Sequence, residues 1–134
     1  MAGPRLHHVG IVMRSEAQAV ALLDILGLRV ARRQHVAEYE ATCLFTEGEG
    51  ASLELIIPTG GKLAQFNQGF GGLHHIAVEV PDLAAASAAL RGRGIRLLEE
   101  APVEAGELRI NFVPPQYTRG VIVEFVERRR SPGP

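Results

Sequence analysis

Residues 6–30 read LHHVGIVMRSEAQAVALLDILGLRV, and residues 73–97, 67 positions later, read LHHIAVEVPDLAAASAALRGRGIRL. The two stretches align without a gap, and doubled histidines, alanines and glycines recur at matching places. Gly27 and Gly94 both fall where a helix would need a left-handed residue at its end. Self-similarity at a fixed spacing indicates a tandem duplication. The predicted fold follows from this duplication.

Each copy predicts a strand, a helix and then three strands. In the first copy the elements are a strand at 6–13, a helix capped by Ser15 and running to about Leu26, and strands near 28–34, 39–47 and 51–58. In the second copy they are a strand at 73–80, a helix after Pro81 and Asp82, and strands near 95–99, 108–114 and 119–127. We therefore predict an α+β fold whose tandem βαβββ modules form a curved, partly open, eight-stranded barrel-like sheet.

The domain organisation follows from the same pattern. We predict a single domain over 1–134, with module one at 5–58, a Gly-rich linker at 59–72, module two at 73–127 and a basic tail at 128–134. The linker is expected to contain one helical turn around 63–66.

Composition excludes several classes of protein. Of the 134 residues, 46% are hydrophobic and 22% are charged, which is ordinary for a globular domain. The net charge of −1 gives no reason to expect nucleic acid as a partner. Apolar runs fall short of the ~18 residues that span a bilayer, and no secretion signal is apparent. The single cysteine, Cys43, fits a reducing compartment, so we expect a cytoplasmic protein with no membrane contact.

Four residues form the candidate metal site. Glu54 and Glu124 each interrupt an apolar last strand, and His8 and His75 lie on the matching first strands. A carboxylate among apolar residues is costly unless it is paired or bound to a metal. Imidazole and carboxylate donors together suit one divalent ion such as Co, Mn, Zn, Ni or Fe. We therefore predict that the sheet surrounds a metal site with these four ligands.

The neighbouring histidines, His7 and His74, differ from the ligands in direction. Side chains alternate across a strand, so both point to the face opposite the predicted ligands. We expect them to pack against other side chains or to support the ligands.

The chain resembles the vicinal-oxygen-chelate (glyoxalase/bleomycin-resistance) superfamily over residues 5–127, and its methylmalonyl-CoA epimerases most. The matching segments are LHHVGIV, LDILGL, LELIIP, GGLHHIAVEV, RGRGIRLLEE and RINFVPPQYTRGVIVEF. This resemblance implies paired βαβββ modules, one divalent metal held by the four predicted ligands, and a homodimer. It also implies an isomerase that epimerises methylmalonyl-CoA or a related 2-carboxyacyl-CoA. The C2 proton would be removed and returned through an enolate that the metal stabilises.

Inversion at C2 requires a proton carrier on each face of the enolate. Glu124 is the first candidate for one carrier. Cys43 is the candidate for the other carrier. It stands at the position where at least one member of the resembled family has a glutamate, and a thiol can also act as an acid or base. A buried cysteine of this kind is also typical of a small core residue. Three further candidates lie just upstream: Glu38, Tyr39 and Glu40.

A second departure from the resembled family lies at 114–120, which reads PPQYTRG. The family commonly has a His-Pro-Lys loop there, near the acyl-CoA. Tyr117 and Arg119 are therefore candidate substrate contacts, although such a segment is also typical of a tight turn.

Other functions remain open at this point. A glyoxalase I-type lactoylglutathione lyase would use the same four ligands, and an Fe(II) dioxygenase would use two histidines and one glutamate, without Glu54. A non-catalytic ligand-binding protein of this fold would need a cavity but no metal, so the four ligands argue against it.

Overall fold

The computed structural model describes residues 3–129 and divides them into two compact units, one of residues 8–74 and one of residues 3–7 with 75–129. The elements are β1 (Arg5–Val12), α1 (Glu16–Leu26), β2 (Val30–Val36), β3 (Ala41–Thr46), β4 (Ser52–Pro58), α2 (Gly61–Ala64), β5 (Gly72–Glu79), α3 (Leu83–Arg91), β6 (Val103–Ala105), β7 (Leu108–Val113) and β8 (Val123–Arg128). The predicted α+β class and the doubled βαβββ order are confirmed. The single-domain organisation and the module boundaries stay predictions.

In the unit of residues 8–74, the strand order is β2-β3-β4-β1, with β1 parallel to β4 and the other pairs antiparallel. Helix α1 begins as predicted, because the Ser15 hydroxyl accepts a hydrogen bond from the Gln18 N–H. It ends at Gly27, which has a φ of 71°. Its buried residues, Ala19 and Leu23, form one cluster with Leu44 of β3 and Leu55 of β4. These contacts bury one side of the sheet under the helix.

The opposite side of the same sheet carries a second apolar cluster. Its buried members are Val12, Ala41, Cys43 and Ile56. Half-buried hydrophobic residues from β2, β3 and the linker pack against it: Val36, Phe45, Leu63 and Phe66. Because His8 and Glu54 lie on this side as well, we call it the site face. The site face is therefore a packed surface rather than a solvated one.

In the other unit the strand order is β5-β8-β7-β6, with β5 parallel to β8. Helix α3 begins after Asp82, whose carboxylate accepts a hydrogen bond from the Ala85 N–H. The buried cluster of this unit consists of Ala77, Ile110 and Val126. Gly94 has a φ of 80°, as predicted for a left-handed residue, but α3 ends three residues earlier.

The predicted strand at 95–99 is wrong. Residues 95–102 are irregular, and the corresponding strand, β6, begins only at Val103. The side chain of buried Asn111 explains the difference, because its amide accepts a hydrogen bond from the Glu99 N–H and donates one to the Glu99 carbonyl oxygen. The Asn111 side chain thus takes the place of part of the backbone ladder that a regular strand would form, while the Leu98 N–H still donates to the Phe112 carbonyl oxygen.

Three smaller expectations shift in the structure. The strand predicted at 39–47 begins at Ala41, after a 3₁₀ turn over Ala37–Tyr39. The linker helix covers Gly61–Ala64 rather than 63–66. Arg128, predicted to start the tail, is the last residue of β8, and tail residues 130–134 lie outside the described residues. None of the helices described over residues 3–129 has the length and apolar character of a membrane-spanning helix.

Gly71 is where a glycine is most strongly required. Its φ is 73°, and a Cβ there would lie 2.4 Å from the carbonyl oxygen of Val12. Gly27 has a similar φ of 71° but no atom within 4 Å of that position. Gly27→Ala is expected to lower the free energy of unfolding by about 1 kcal/mol, from backbone strain alone. Gly71→Ala is expected to lower it by at least about 3 kcal/mol, because the strand must also move.

Urea denaturation of both glycine variants and the wild type checks this prediction. Equal losses for the two variants would show that the close approach to Val12 carries no cost.

Candidate metal centre

The first histidine–glutamate pair lies on the site face. Strand β1 runs parallel to β4 with Gly10 opposite Glu54, so His8, two residues before Gly10, faces the same side. The His8 Nε2 atom is 3.4 Å from the Glu54 Oε1 atom, and the side chains are 4% and 13% exposed. The ring of Phe45 meets the His8 ring edge-on at 5.8 Å. Burying a carboxylate to this extent costs free energy unless a hydrogen bond, an ion pair or a metal ion compensates for it.

The second pair repeats the first in the other unit. Strand β5 runs parallel to β8 with Ala77 opposite Glu124, just as Gly10 lies opposite Glu54. His75 Nε2 is 3.7 Å from Glu124 Oε1, and the side chains are 8% and 10% exposed. The duplicated sequence thus builds the same buried pair twice, once in each unit.

The donor set of each pair fits a divalent ion. Both nitrogen–oxygen distances exceed the roughly 2.7–3.2 Å of a good N–H···O hydrogen bond. Donors about 2.1 Å from a first-row metal lie roughly 3 to 3.5 Å apart. The 3.4 Å of the first pair falls in this range, and the 3.7 Å of the second pair is slightly longer. A neutral imidazole with a carboxylate is also the chemistry that Zn, Mn, Co, Ni and Fe accept.

An aromatic ring beside each glutamate is a feature that sequence analysis missed. Phe45 of β3 lies opposite Glu54, and Phe112 of β7 lies opposite Glu124. The signal was present, because the two phenylalanines are 67 positions apart, which is the spacing of the doubled histidines. Each ring thus lies beside the glutamate of one pair, on the same side of its sheet.

Cys43 lies on the site face, one pleat along β3 from Phe45. It pairs with Ile56, two residues from Glu54, and is 6% exposed within the apolar cluster. The structure therefore places the cysteine on the correct side of the sheet for a role near the first pair. Glu38 and Tyr39 lie in the 3₁₀ turn before β3, and Glu40 follows it with a left-handed φ of 51°.

The two predicted substrate contacts lie in the segment before β8. Tyr117 ends a 3₁₀ turn over Pro115–Tyr117 and is 40% exposed. Arg119 is exposed and has a φ of 57°, which is uncommon for a residue with a side chain. The segment is thus a tight turn whose two polar side chains reach solvent. Their role toward a substrate stays a prediction.

His74 packs against another side chain, which is one of the two alternatives expected for His7 and His74. Its ring meets the Phe66 ring edge-on at 4.8 Å. His7 is half-buried on β1, and its role stays a prediction.

Comparison with known proteins identifies the family. A profile for the glyoxalase/bleomycin resistance protein/dioxygenase superfamily matches residues 7–112. Human mitochondrial methylmalonyl-CoA epimerase is 33% identical over 127 residues, covering 90% of this chain and 72% of the human protein. An ethylmalonyl-CoA/methylmalonyl-CoA epimerase of Cereibacter sphaeroides is 32% identical over 128 residues, covering 90% of this chain and 96% of that protein.

A solved structure agrees with these relatives. Streptomyces coelicolor methylmalonyl-CoA epimerase, a variant in complex with 2-nitronate-propionyl-CoA, matches with a TM-score of 0.83 and 25% identity. The match covers 96% of this chain and all 100% of that one.

The chain belongs to the glyoxalase/bleomycin resistance protein/dioxygenase superfamily. Within this superfamily it is an isomerase of the racemase and epimerase type, similar to the methylmalonyl-CoA epimerases. The resemblance inferred from the sequence motifs is thereby confirmed.

Proposed function

We propose that this protein is a metal-dependent epimerase of methylmalonyl-CoA or a related 2-carboxyacyl-CoA. The observation that carries the proposal is the buried histidine–glutamate pair that occurs once in each unit, at 3.4 and 3.7 Å. The relatives and the solved structure support an acyl-CoA substrate, because their names give epimerases of such thioesters and an acyl-CoA analogue as ligand.

One divalent ion is proposed as the cofactor: Co, Mn, Zn, Ni or Fe. Its ligands would be His8, Glu54, His75 and Glu124. The side chains of His8, Glu54 and His75 form a group that could hold a metal ion, each with one nitrogen or oxygen donor atom. Glu124 is proposed as the fourth ligand because it pairs with His75. When bound, such an ion supplies electrostatic stabilisation of the negative charge that develops on the thioester oxygen.

The chain's own residues would move the proton. Glu124 is the proposed carrier on one face of C2, because a carboxylate beside the reacting group can take the proton and give it back. Cys43 is the proposed carrier on the other face, from its buried position on the site face. Removal by one carrier and return by the other inverts the C2 centre. Tyr117 and Arg119 are proposed to contact the acyl-CoA, since a guanidinium suits its phosphates.

The assembly and compartment are part of the same proposal. The family resemblance supports a homodimer, and the single cysteine supports a reducing compartment such as the cytoplasm.

Deuterium exchange tests the proposed reaction. Incubation of the purified protein with methylmalonyl-CoA in D₂O is expected to place deuterium at C2, as measured by mass spectrometry, while both epimers appear. Dialysis against a chelator is expected to abolish the exchange, and adding back Co²⁺ or Mn²⁺ is expected to restore it. Elemental analysis of the protein as purified should give one divalent ion per chain.

The same preparation separates the alternative functions. Turnover of the methylglyoxal–glutathione hemithioacetal without exchange at C2 would favour the glyoxalase I-type lyase. Oxygen-dependent cleavage of a catechol would favour the Fe(II) dioxygenase. If the protein shows no exchange at C2 and contains no bound metal, the result would favour a non-catalytic ligand-binding protein and overturn the proposal.

A further inference from the structure

Arg32 lies on the edge strand β2, where the pairing with β3 is irregular. Val30 lies opposite Thr46, but Arg32 lies opposite Phe45, so β2 contains one extra residue at this point. Regular pairing would have put Arg32 opposite Leu44, whose side chain packs under α1. Such β-bulges re-aim a side chain and are frequent next to active sites. Here the bulge turns the arginine to the site face.

The arginine is then held beside the first histidine–glutamate pair. Its guanidinium carbon lies 4.4 Å above the centre of the Phe45 ring. The same ring lies edge-on to the His8 ring and opposite Glu54 in the strand pairing. A cation above an aromatic face is held weakly but in a defined place. Arg32 and His8 therefore contact the same aromatic ring.

Arg32 also differs from its neighbour in charge pairing. Arg33, the next residue, points to the other side of the sheet and forms an ion pair with Glu16. Arg32 forms no ion pair with any residue in the described part of the chain, and its side chain is exposed. An exposed cation that contacts the same ring as His8 and has no carboxylate partner among the described residues is available to an anionic ligand.

We propose that Arg32 binds an oxyanion of the acyl-CoA substrate and thereby helps to select it; this inference rests on the proposed function. A guanidinium presents a planar fork of N–H donors that matches carboxylate and phosphate oxygens. The free carboxylate of a 2-carboxyacyl group is one source of such an oxyanion, because Arg32 shares the Phe45 ring with His8 of the first pair. The phosphates of CoA are the other source of the same chemistry.

Calorimetric binding of two thioesters tests the proposal. Malonyl-CoA carries an acyl carboxylate and acetyl-CoA does not, whereas both carry the CoA phosphates. The metal-loaded wild type, Arg32→Gln, Arg32→Lys and the matched control Arg33→Gln are compared. Arg32→Gln is expected to weaken malonyl-CoA binding about 10- to 100-fold, the usual loss for a charge-assisted hydrogen bond. Arg32→Lys should keep part of the affinity, because the charge remains while the fork is lost.

Each outcome decides the proposal. Loss with malonyl-CoA alone supports the acyl carboxylate as the ligand, and equal loss with both thioesters supports a CoA phosphate. Unchanged binding in Arg32→Gln, or an equal loss in Arg33→Gln, overturns the proposal and leaves the proposed function standing. A wild type that binds neither thioester overturns both together.

Discussion

Glu124→Gln is expected to lower the rate of inversion at C2 of methylmalonyl-CoA by about 10³-fold, within the usual contribution of a general base. The substitution keeps the size of the side chain and an oxygen donor but removes the carboxylate that is proposed to accept the proton. Glu124 is 8% exposed, so water cannot easily replace it. The measurement is the interconversion of separated epimers, followed by chiral chromatography of the acyl group.

The internal repeat provides the matched control for this variant. Glu54→Gln makes the same change in the pair with the same geometry, and it also keeps an oxygen donor. If Glu54 is only a ligand, inversion should fall by about tenfold, as for other changes around a metal. Metal content must be measured in both variants. Equal losses of activity at equal metal content would remove Glu124 from the role of base.

Cys43→Ala completes the test of the two carriers. If Glu124 and Cys43 serve opposite faces of C2, each single variant loses inversion but retains deuterium exchange for one epimer. The epimer that still exchanges its C2 proton should differ between the two variants. Unchanged inversion in Cys43→Ala would assign the cysteine to packing, in agreement with its apolar neighbours on the site face.

Leu55→Ala is expected to lower the free energy of unfolding by about 2–5 kcal/mol, the range for a leucine removed from a closed core. Leu55 is 0% exposed and packs against Ala19 and Leu23 of α1. It is also next to Glu54 in β4, on the opposite side of the strand. Loss of its packing should therefore loosen the strand that carries Glu54, the proposed ligand. Urea denaturation of the metal-free protein gives the stability.

Leu73→Ala is the control for the core variant, because it is the same substitution at a side chain that is 73% exposed. Its stability is expected to stay within about 0.5 kcal/mol of the wild type. A Leu55→Ala loss as small as that of Leu73→Ala would mean that the layer under α1 contributes little to folding.

The sequence by itself determined the architecture and both histidine–glutamate pairs. A duplication is visible in the letters, because two copies of one module need the same apolar periodicity, helix caps and turn glycines. The pairing of His8 with Glu54 was predictable for a similar reason. Strand alternation fixes which side a residue faces, and a lone carboxylate in an apolar strand needs a partner on that side. The same reasoning applies to His75 and Glu124.

Only the tertiary structure decided where the pattern breaks. The bulge in β2 turns Arg32 to the site face, and nothing in VARRQHV marks the extra residue, since every position there except the last is exposed. The segment 95–99, predicted as a strand, is irregular instead, and the Asn111 side chain makes two hydrogen bonds to the backbone of Glu99 there. Both features depend on contacts between segments, whereas periodicity reports only on neighbours along the chain. A bulge or a side-chain hydrogen bond changes the local backbone energy little, so the local sequence does not predict it. Whether it forms depends on the residues of other segments that pack against it.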